Sequence, residues 1–245
     1  GLALALRAAS KGGHIDAVVY DTSAEEFAVD LGGSESLDDT ALFARLVKKS
    51  AESADGDPWT AIVAGYTFDV TVPHAELLGR VAKIASRLNA PFFEAQYLGL
   101  AVSGFLARTP FGETSRPAES FDFLEFSLGE GTGGCLWGNP AFACATMLSM
   151  SYLKSGWAFK PGEVLKLENM PLFVYRDEDD DEVTLGGEVR FTSAVSQTVS
   201  SMGFMPLMPI RGRDQVELVR FQSMSEEEGE LAGSWGKEGA APPPQ

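Results

Sequence analysis

The first hundred residues alternate between short apolar runs and segments with the spacing of amphipathic helices. Residues 15–20 (IDAVVY) are apolar and β-branched, which predicts a buried strand. Ser23 and Glu26 follow with the S-x-x-E spacing of a capping box, so a helix is predicted to begin at Ser23. A second helix is predicted over 39–50, on the basis of an apolar stripe formed by Leu42, Phe43, Leu46 and Val47.

The next unit has the order strand, helix, strand. Residues 59–68 (WTAIVAGYTF) have strand composition, and residues 73–89 have helical periodicity. Phe92 and Phe93 begin another buried strand after Pro91. This order predicts a right-handed crossover within a largely parallel sheet. The predicted inner face of the helix consists of Leu77, Val81, Ile84 and Leu88.

The middle of the chain is predicted to contain a buried helix preceded by a long excursion. Residues 97–107 are apolar and are predicted to be helical, whereas 109–134 are rich in Pro, Gly and charge. Asn139 suits an N-cap and Pro140 the first helical position, which predicts a helix to Lys154 with Gly156 beyond its end. Its buried face is predicted to include Phe142, Ala145, Met147 and Leu148.

From Gly162 onward the pattern is rich in short strands. An acidic run over 176–182 is typical of a solvated hairpin tip, and it lacks the glycine and terminal glutamate of a calcium loop. A helix is predicted over 193–202, capped by Gly203. The predicted strands are 164–167, 172–175, 204–208 and 216–221.

Together these elements predict an α/β fold, with a mixed, largely parallel sheet flanked by helices and a β-rich C-terminal part. We divide the chain into residues 1–108, an α/β segment, and 109–225, which holds the excursion and the β-rich part. Residues 226–245 are acidic and then Gly/Ala/Pro-rich, which predicts a flexible tail. The length of 245 residues fits one large domain or two small ones.

The net charge of the chain argues against two classes of partner, nucleic acids and anionic membranes. The formal net charge is −16, so the protein repels phosphate backbones and anionic lipids, and we expect neither nucleic acid binding nor membrane insertion. The apolar runs are shorter than a bilayer span or a secretory signal requires, which predicts a cytoplasmic location. An acidic surface also predicts that any assembly depends on a less acidic or basic partner, with association that slows as salt is added.

Candidate chemical groups are few. The spacing of Cys135 and Cys144 matches no zinc pattern, and His14 and His74 stand far apart. The glycine-rich string 129–134 (GEGTGG) lacks the Lys-Ser/Thr pair of a phosphate-binding loop, and Ser103 lies outside any nucleophile elbow. We therefore predict no catalytic, cofactor-binding or metal site.

Several blocks of sequence, in one order along the chain, resemble the large subunit of the type VI secretion contractile sheath. QYLGLAVSGFLARTPFG is similar to the family's "RYVGLALPRFLLRLPYG", and LWGNPAFACA to its "LWGNAAYAFA". In the block DPWTAIVAGYTFD, Gly65 and Thr67 stand where the family has aspartate and glutamate. The other blocks are IDAVVYDTSAEEFAVDL, LNAPFF, FDFLEF and the stretch from EVRFTSAV to FQS.

This resemblance implies a structural protein without catalytic residues. Its implied partners are a small sheath subunit, further copies of itself, an inner tube protein, a baseplate and an AAA+ ATPase that recycles the spent sheath. The interface residues are not identified by the sequence. Two alternatives remain: a diverged adaptor or regulator of a secretion or phage-tail-like machine, and an enzyme that uses the 129–134 loop.

The junction between Ala95 and Gln96 is anomalous. A strand at Phe92 and a helix at Tyr97 require a turn between them, yet residues 92–98 contain no turn-forming residue. In the resembling family an irregular insertion occurs at this place. We therefore predict that residues are missing between Ala95 and Gln96, and that their Cα atoms lie much farther apart than the ~3.8 Å of a peptide link.

Overall fold

The structure is a computed structural model. It describes residues 15–48, 59–69, 71–97, 105–108, 135–170, 172–176, 179–186 and 193–223, and the single residues 231, 233 and 235. The helices are α1 (Ala24–Gly33), α2 (Ala41–Phe43, continued by a π-helix over Ala44–Lys48), α3 (Val72–Leu88), α4 (Ala141–Ser155) and α5 (Ser193–Ser201). Short 3₁₀ helices span Leu37–Asp39 and Gly156–Ala158. The strands are β1 (Ile62–Asp69), β2 (Phe92–Tyr97), β3 (Phe105–Arg108), β4 (Cys135–Gly138), β5 (Lys166–Leu167), β6 (Leu172–Arg176), β7 (Glu182–Gly186), β8 (Leu207–Pro209) and β9 (Val216–Leu218).

The predicted capping box at the start of α1 is confirmed. The Ser23 hydroxyl oxygen accepts a hydrogen bond from the Glu26 amide at 3.1 Å, and the Glu26 carboxylate accepts one from the Ser23 amide at 2.9 Å. Two otherwise unpaired backbone donors are thereby satisfied, which fixes the start of the helix. The helix then buries Phe27 and Leu31.

The helix predicted over 39–50 begins later, at Ala41, and is less regular than its pattern indicates; residues 49–50 lie outside the described residues. Thr40 caps α2 by accepting from the Phe43 amide, and both carboxylate oxygens of Asp30 accept from the Ala41 and Leu42 amides. Leu42 and Phe43 are buried as predicted.

The strand, helix, strand unit forms as predicted, and β1 pairs with β2 in parallel. Pro73 lies in the first turn of α3, where its missing amide costs nothing. Asn89 ends the helix in the left-handed conformation at φ 50°. The fold is therefore a mixture of helices and strands with a small parallel sheet; the other pairings of the described strands are antiparallel.

The expected break between Ala95 and Gln96 is wrong, because β2 runs through this junction without interruption. Ala95 pairs with Thr67 and Gln96 with Phe68, in consecutive register. Tyr97 is the last residue of the same strand and begins no helix. Turn-forming residues are absent here because the chain makes no turn.

Two other predicted elements are wrong. Residues 15–20 form no strand; Val18 and Val19 are 71% and 80% exposed, and none of the described strands pairs with this run. The end of the predicted 97–107 helix is instead strand β3, which pairs antiparallel with β4. Composition misled us in both cases, since a strand depends on a partner that the run itself does not specify. The excursion over 109–134 lies outside the described residues.

The buried helix after Asn139-Pro140 is confirmed, beginning at Ala141 and ending at Ser155. Ala145, Met147 and Leu148 are buried and Phe142 is partly buried, as predicted. Gly156 terminates the helix at φ 66°, a conformation that favours glycine.

The β1–β2 sheet lies between two apolar clusters. Adjacent residues of a strand point to opposite faces, so Phe92 packs on one cluster and Phe93 belongs to the other. Cluster 1, on the α4 side, comprises Phe93, Ala141, Ala143, Cys144, Met147, Leu148, Phe159, Leu167, Leu207, Val216, Leu218, Phe221 and Trp235. Cluster 2, on the side of α1, α2 and α3, comprises Phe27, Leu31, Leu42, Phe43, Ala64, Phe68, Val81 and Ile84.

The C-terminal part contains several short strands, as predicted. A three-stranded antiparallel sheet has the order β5, β9, β8, and β6 pairs with β7 as a hairpin around the acidic run. Helix α5 ends at Ser201, with Gly203 at φ 95° beyond it. Gln222 is 4% exposed, and its amide nitrogen donates to the Ser200 oxygen at 2.8 Å and to the Phe204 oxygen at 2.5 Å. This side chain therefore joins the chain after β9 to the end of α5.

Candidate functional site

Cys144 and His74 are the two candidate groups whose side chains the structure describes, and each has a role in packing or in a helix start. Cys144 is buried in α4, and burial raises the pKa of its thiol to about 12, so it stays protonated and unreactive near neutral pH. His74 lies in the first turn of α3, where its Nδ1 accepts from the Asp69 amide at 2.8 Å. The side chain of Cys135 lies outside the described residues, as do His14, Ser103 and the loop 129–134.

The described parts of the chain hold neither a cluster of metal-ligating side chains nor a helix suited to span a membrane. His, Cys, Asp and Glu side chains in these parts do not gather in groups of three at metal-binding distances. Among the same residues, no helix combines the length and apolar character that a bilayer span requires.

Tyr66 on β1 contacts elements on both sides of the sheet. Its hydroxyl donates to the Thr22 oxygen just before α1, and burial raises the pKa of this phenol, which keeps it a donor. Its ring centroid lies 5.5 Å from that of Phe27 and 6.3 Å from that of Phe68. Its backbone oxygen accepts from the Asn139 side chain at 2.9 Å.

The Asn139 side chain makes two hydrogen bonds with different structural roles. Its Oδ1 accepts from the Ala141 amide at 2.9 Å, which starts α4, while its Nδ2 bonds to Tyr66 and fixes α4 against β1. Next to it, Gly65 faces the Phe142 ring, whose Cζ would lie 3.6 Å from a side-chain carbon at position 65, an ordinary contact distance. The sequence predicted the capping role of Asn139; the bond to Tyr66 had no signal, since it spans 73 residues.

An open cleft of about 540 Å³ lies between residues 19–22 and the helices α1 and α2. Two of its carboxylates already have backbone partners: Glu26 closes the capping box and Asp30 caps α2. Arg45 lies over the Tyr20 ring at 4.5 Å. Glu26 and Asp30 thus stabilise the starts of α1 and α2.

Beside this cleft, consecutive apolar side chains face the solvent. Val18 and Val19 are mostly exposed, and Tyr20 is 40% exposed. Neighbouring exposed apolar residues are more typical of a surface that contacts another protein than of an enzyme site. Nothing in the residue pattern predicted this exposure, because the run reads as a buried strand.

Comparison with known families agrees with this structural picture. The model of the VipB family, described as EvpB/VC_A0108, tail sheath N-terminal domain, matches residues 93–225, more than half of the chain. The chain belongs to the VipB tail sheath family. The matched region includes Asn139 and α4, the three-stranded sheet and Gln222. The resemblance noted from the sequence is confirmed, and the family is one of structural sheath proteins.

One curated relative extends the likeness beyond the matched domain. The chain is 25% identical over 235 residues to the type VI secretion system sheath protein TssC1 of Pseudomonas aeruginosa. This alignment covers 76% of the chain and 47% of the relative, so the chain spans about half the length of that protein. Because 235 aligned residues cover only 76% of a 245-residue chain, the relative carries additional residues within the matched region.

Proposed function

We propose that this VipB-family chain is a structural subunit of a contractile secretion sheath. In this role it polymerises with a small sheath subunit and with copies of itself around an inner tube, and contraction of the polymer drives the tube outward. The match to the tail sheath N-terminal domain over residues 93–225 carries this proposal. The chain acts through protein–protein contacts and without catalytic chemistry.

Three features of the molecule support a mechanical role. Its hydrogen-bonding side chains fix one element to another, as Asn139 and Gln222 do. Two carboxylates of the cleft, Glu26 and Asp30, act as helix caps. The apolar residues Val18, Val19 and Tyr20 provide surface for a partner.

The wider partners follow from the same proposal. A baseplate anchors the polymer in the cytoplasm, and an AAA+ ATPase recycles it after contraction. Since the chain carries a net charge of −16, the matching surface of the small subunit is expected to be less acidic or basic.

A second candidate is a diverged adaptor or regulator that does not polymerise. It is favoured by one observation: TssC1 has additional residues within the region to which this chain aligns. A shortened chain that keeps the sheath core while losing contacts between copies would bind the machine as a monomer or small ring.

Co-purification distinguishes the sheath subunit from the adaptor by the partner proteins that each would retain. The chain is tagged and co-expressed with the products of neighbouring genes, including the candidate small subunit. We expect that subunit to be retained at comparable amounts, with association slowing as salt rises. Capture of a regulatory or baseplate component without the small subunit favours the adaptor.

A matched pair of variants tests the apolar surface. The double substitution Val18→Ser and Val19→Ser is expected to weaken retention of the small subunit. Val72→Ser is the control, because Val72 is similarly exposed at 72% but lies at the start of α3. Equal retention by both variants places the contact elsewhere on the chain.

A further inference from the structure

Trp235 lies in a stretch whose composition predicts a flexible tail, yet it is part of cluster 1. Its side chain is 5% exposed, and its ring stacks on Phe159 with centroids 5.3 Å apart and planes 27° from parallel. Leu231 packs partly buried against the same cluster. The tail therefore has a specific attachment point on the folded core.

The attachment requires a residue without a side chain at position 233. A side-chain carbon at this position would lie 2.3 to 2.6 Å from three ring atoms of Trp235, far inside contact distance. The indole ring thus lies directly over the glycine, and any larger residue would push it away from Phe159. The docked unit is a Gly-x-Trp segment and not a tryptophan alone.

The surface that receives the indole is a built part of the core. Phe159 is 1% exposed and follows the 3₁₀ turn Gly156–Ala158 at the end of α4. The Tyr152 ring meets Phe159 edge to face at 6.4 Å. Phe159 therefore contacts α4 through Tyr152 and stacks on the indole of Trp235.

We propose that the surface around Phe159 is a binding site for a Gly-x-Trp peptide segment, filled in this chain by its own Gly233 and Trp235. The segment is a separable ligand of a core that folds without it. Residues 224–230 (MSEEEGE) connect it to the core, and four of these seven are glutamates, which add charge and little apolar area. Among the described residues of this segment, Leu231 and Trp235 contact cluster 1 with apolar side chains. A segment with few buried apolar contacts opens before the rest of a fold.

Cutting the connection in the folded protein tests separability without risk to folding. A protease recognition sequence is placed within residues 224–230, and the full chain is cleaved after purification. We expect the fragment from Leu231 onward to co-elute with the core at high concentration and to dissociate on dilution, while the circular dichroism of the core stays unchanged. A fragment that leaves only in denaturant, or a core that unfolds when it leaves, would overturn the proposal.

A peptide supplied in trans tests the site itself. The probe is a fluorescently labelled synthetic peptide of residues 229–239 (GELAGSWGKEG), and anisotropy reports its binding to the full chain carrying Trp235→Ala. We expect saturable binding to this variant and about tenfold or more weaker binding to the wild-type chain, because a tethered segment competes at roughly millimolar effective concentration.

Two control peptides carry the change Trp235→Ala or Gly233→Ala, and neither is expected to bind. Equal binding of the probe to the wild-type and variant chains, or equal binding of the Gly233→Ala peptide, would overturn the assignment. A Trp235→Ala chain that does not fold would also overturn the proposal, because the core is proposed to fold without the segment. The cleaved wild-type core after removal of its fragment is a second receptor for the same titration.

Discussion

The two sides of the β1–β2 sheet are held together in different ways. Around cluster 2 the helix starts are fixed by bonds that are short in sequence: Ser23 with Glu26, Thr40 with Phe43, and Asp30 with the start of α2 eleven residues later. Longer bonds, such as Tyr66 to Thr22 and Arg80 to Ser34, then join these elements to β1 and α3. Around cluster 1 the contacts that close the cluster join distant residues, such as Gln222 to Ser200 and Phe159 to Trp235. The helix starts of the first side are therefore specified locally, whereas these contacts of the second side form only once the chain has folded back on itself.

Removing the central ring of cluster 1 is expected to have the largest effect. Phe159→Ala should lower the free energy of unfolding by about 3–5 kcal/mol, because it leaves a cavity between α4 and Trp235. Urea titration followed by circular dichroism measures this change. Phe43→Ala in cluster 2 is the matched variant, since Phe43 is 6% exposed. A much smaller loss for Phe159 than for Phe43 would contradict the importance that we give to cluster 1.

Gln222→Leu should cost about 1–3 kcal/mol, because the Phe204 oxygen loses the Gln222 donor, while the Ser200 oxygen keeps only the Gly203 amide at 3.1 Å. The same titration measures it. Gln215→Leu is the control: Gln215 bonds to Glu168 in an exposed position, and its loss should be small. Equal effects at both positions would show that the hydrogen bonds from Gln222 to the end of α5 contribute no more than a surface contact.

Asn139 permits its two bonds to be separated. Asn139→Ala should cost about 1–2 kcal/mol by removing both the cap and the bond to Tyr66. Asn139→Asp keeps an acceptor for the Ala141 amide and loses the donor to Tyr66, so it should retain part of that stability. If the aspartate variant is as stable as the wild type, only the cap matters.

The smallest effect is expected at the capping box of α1. Ser23→Ala should cost about 0.5–1 kcal/mol through loss of half of the capping box, with little change elsewhere. Ser86→Ala, on an exposed position inside α3, is the control and should be neutral or slightly stabilising, because alanine favours helices. Hydrogen exchange at the start of α1 should rise in the first variant only.

Sequence reasoning succeeded where the determining residues lie close together. The capping box at Ser23, the stripe that buries Val81 and Ile84, and the start of α4 after Asn139 all depend on neighbours within about one turn of helix. The parallel pairing of β1 with β2 followed from the order of elements, since the crossover helix leaves few alternatives.

It failed where pairing depends on a distant part of the chain. Residues 15–20 have strand composition without a partner among the described strands, and Phe105–Arg108 form a strand because Cys135–Gly138 lie beside them. The bond between Asn139 and Tyr66 and the burial of Trp235 against Phe159 likewise depend on contacts that no local spacing encodes. The division at residue 108 stays a prediction, although Phe93 meets Phe221 across it with ring centroids 6.3 Å apart.

Electron microscopy of the chain co-expressed with its small sheath subunit tests the central claim most directly. If the chain is a sheath subunit, negative-stain images of the purified complex show long hollow helical polymers that contain both proteins. Monomers or small rings alone, from a complex in which both proteins are folded and bound, would contradict the sheath role and favour the adaptor.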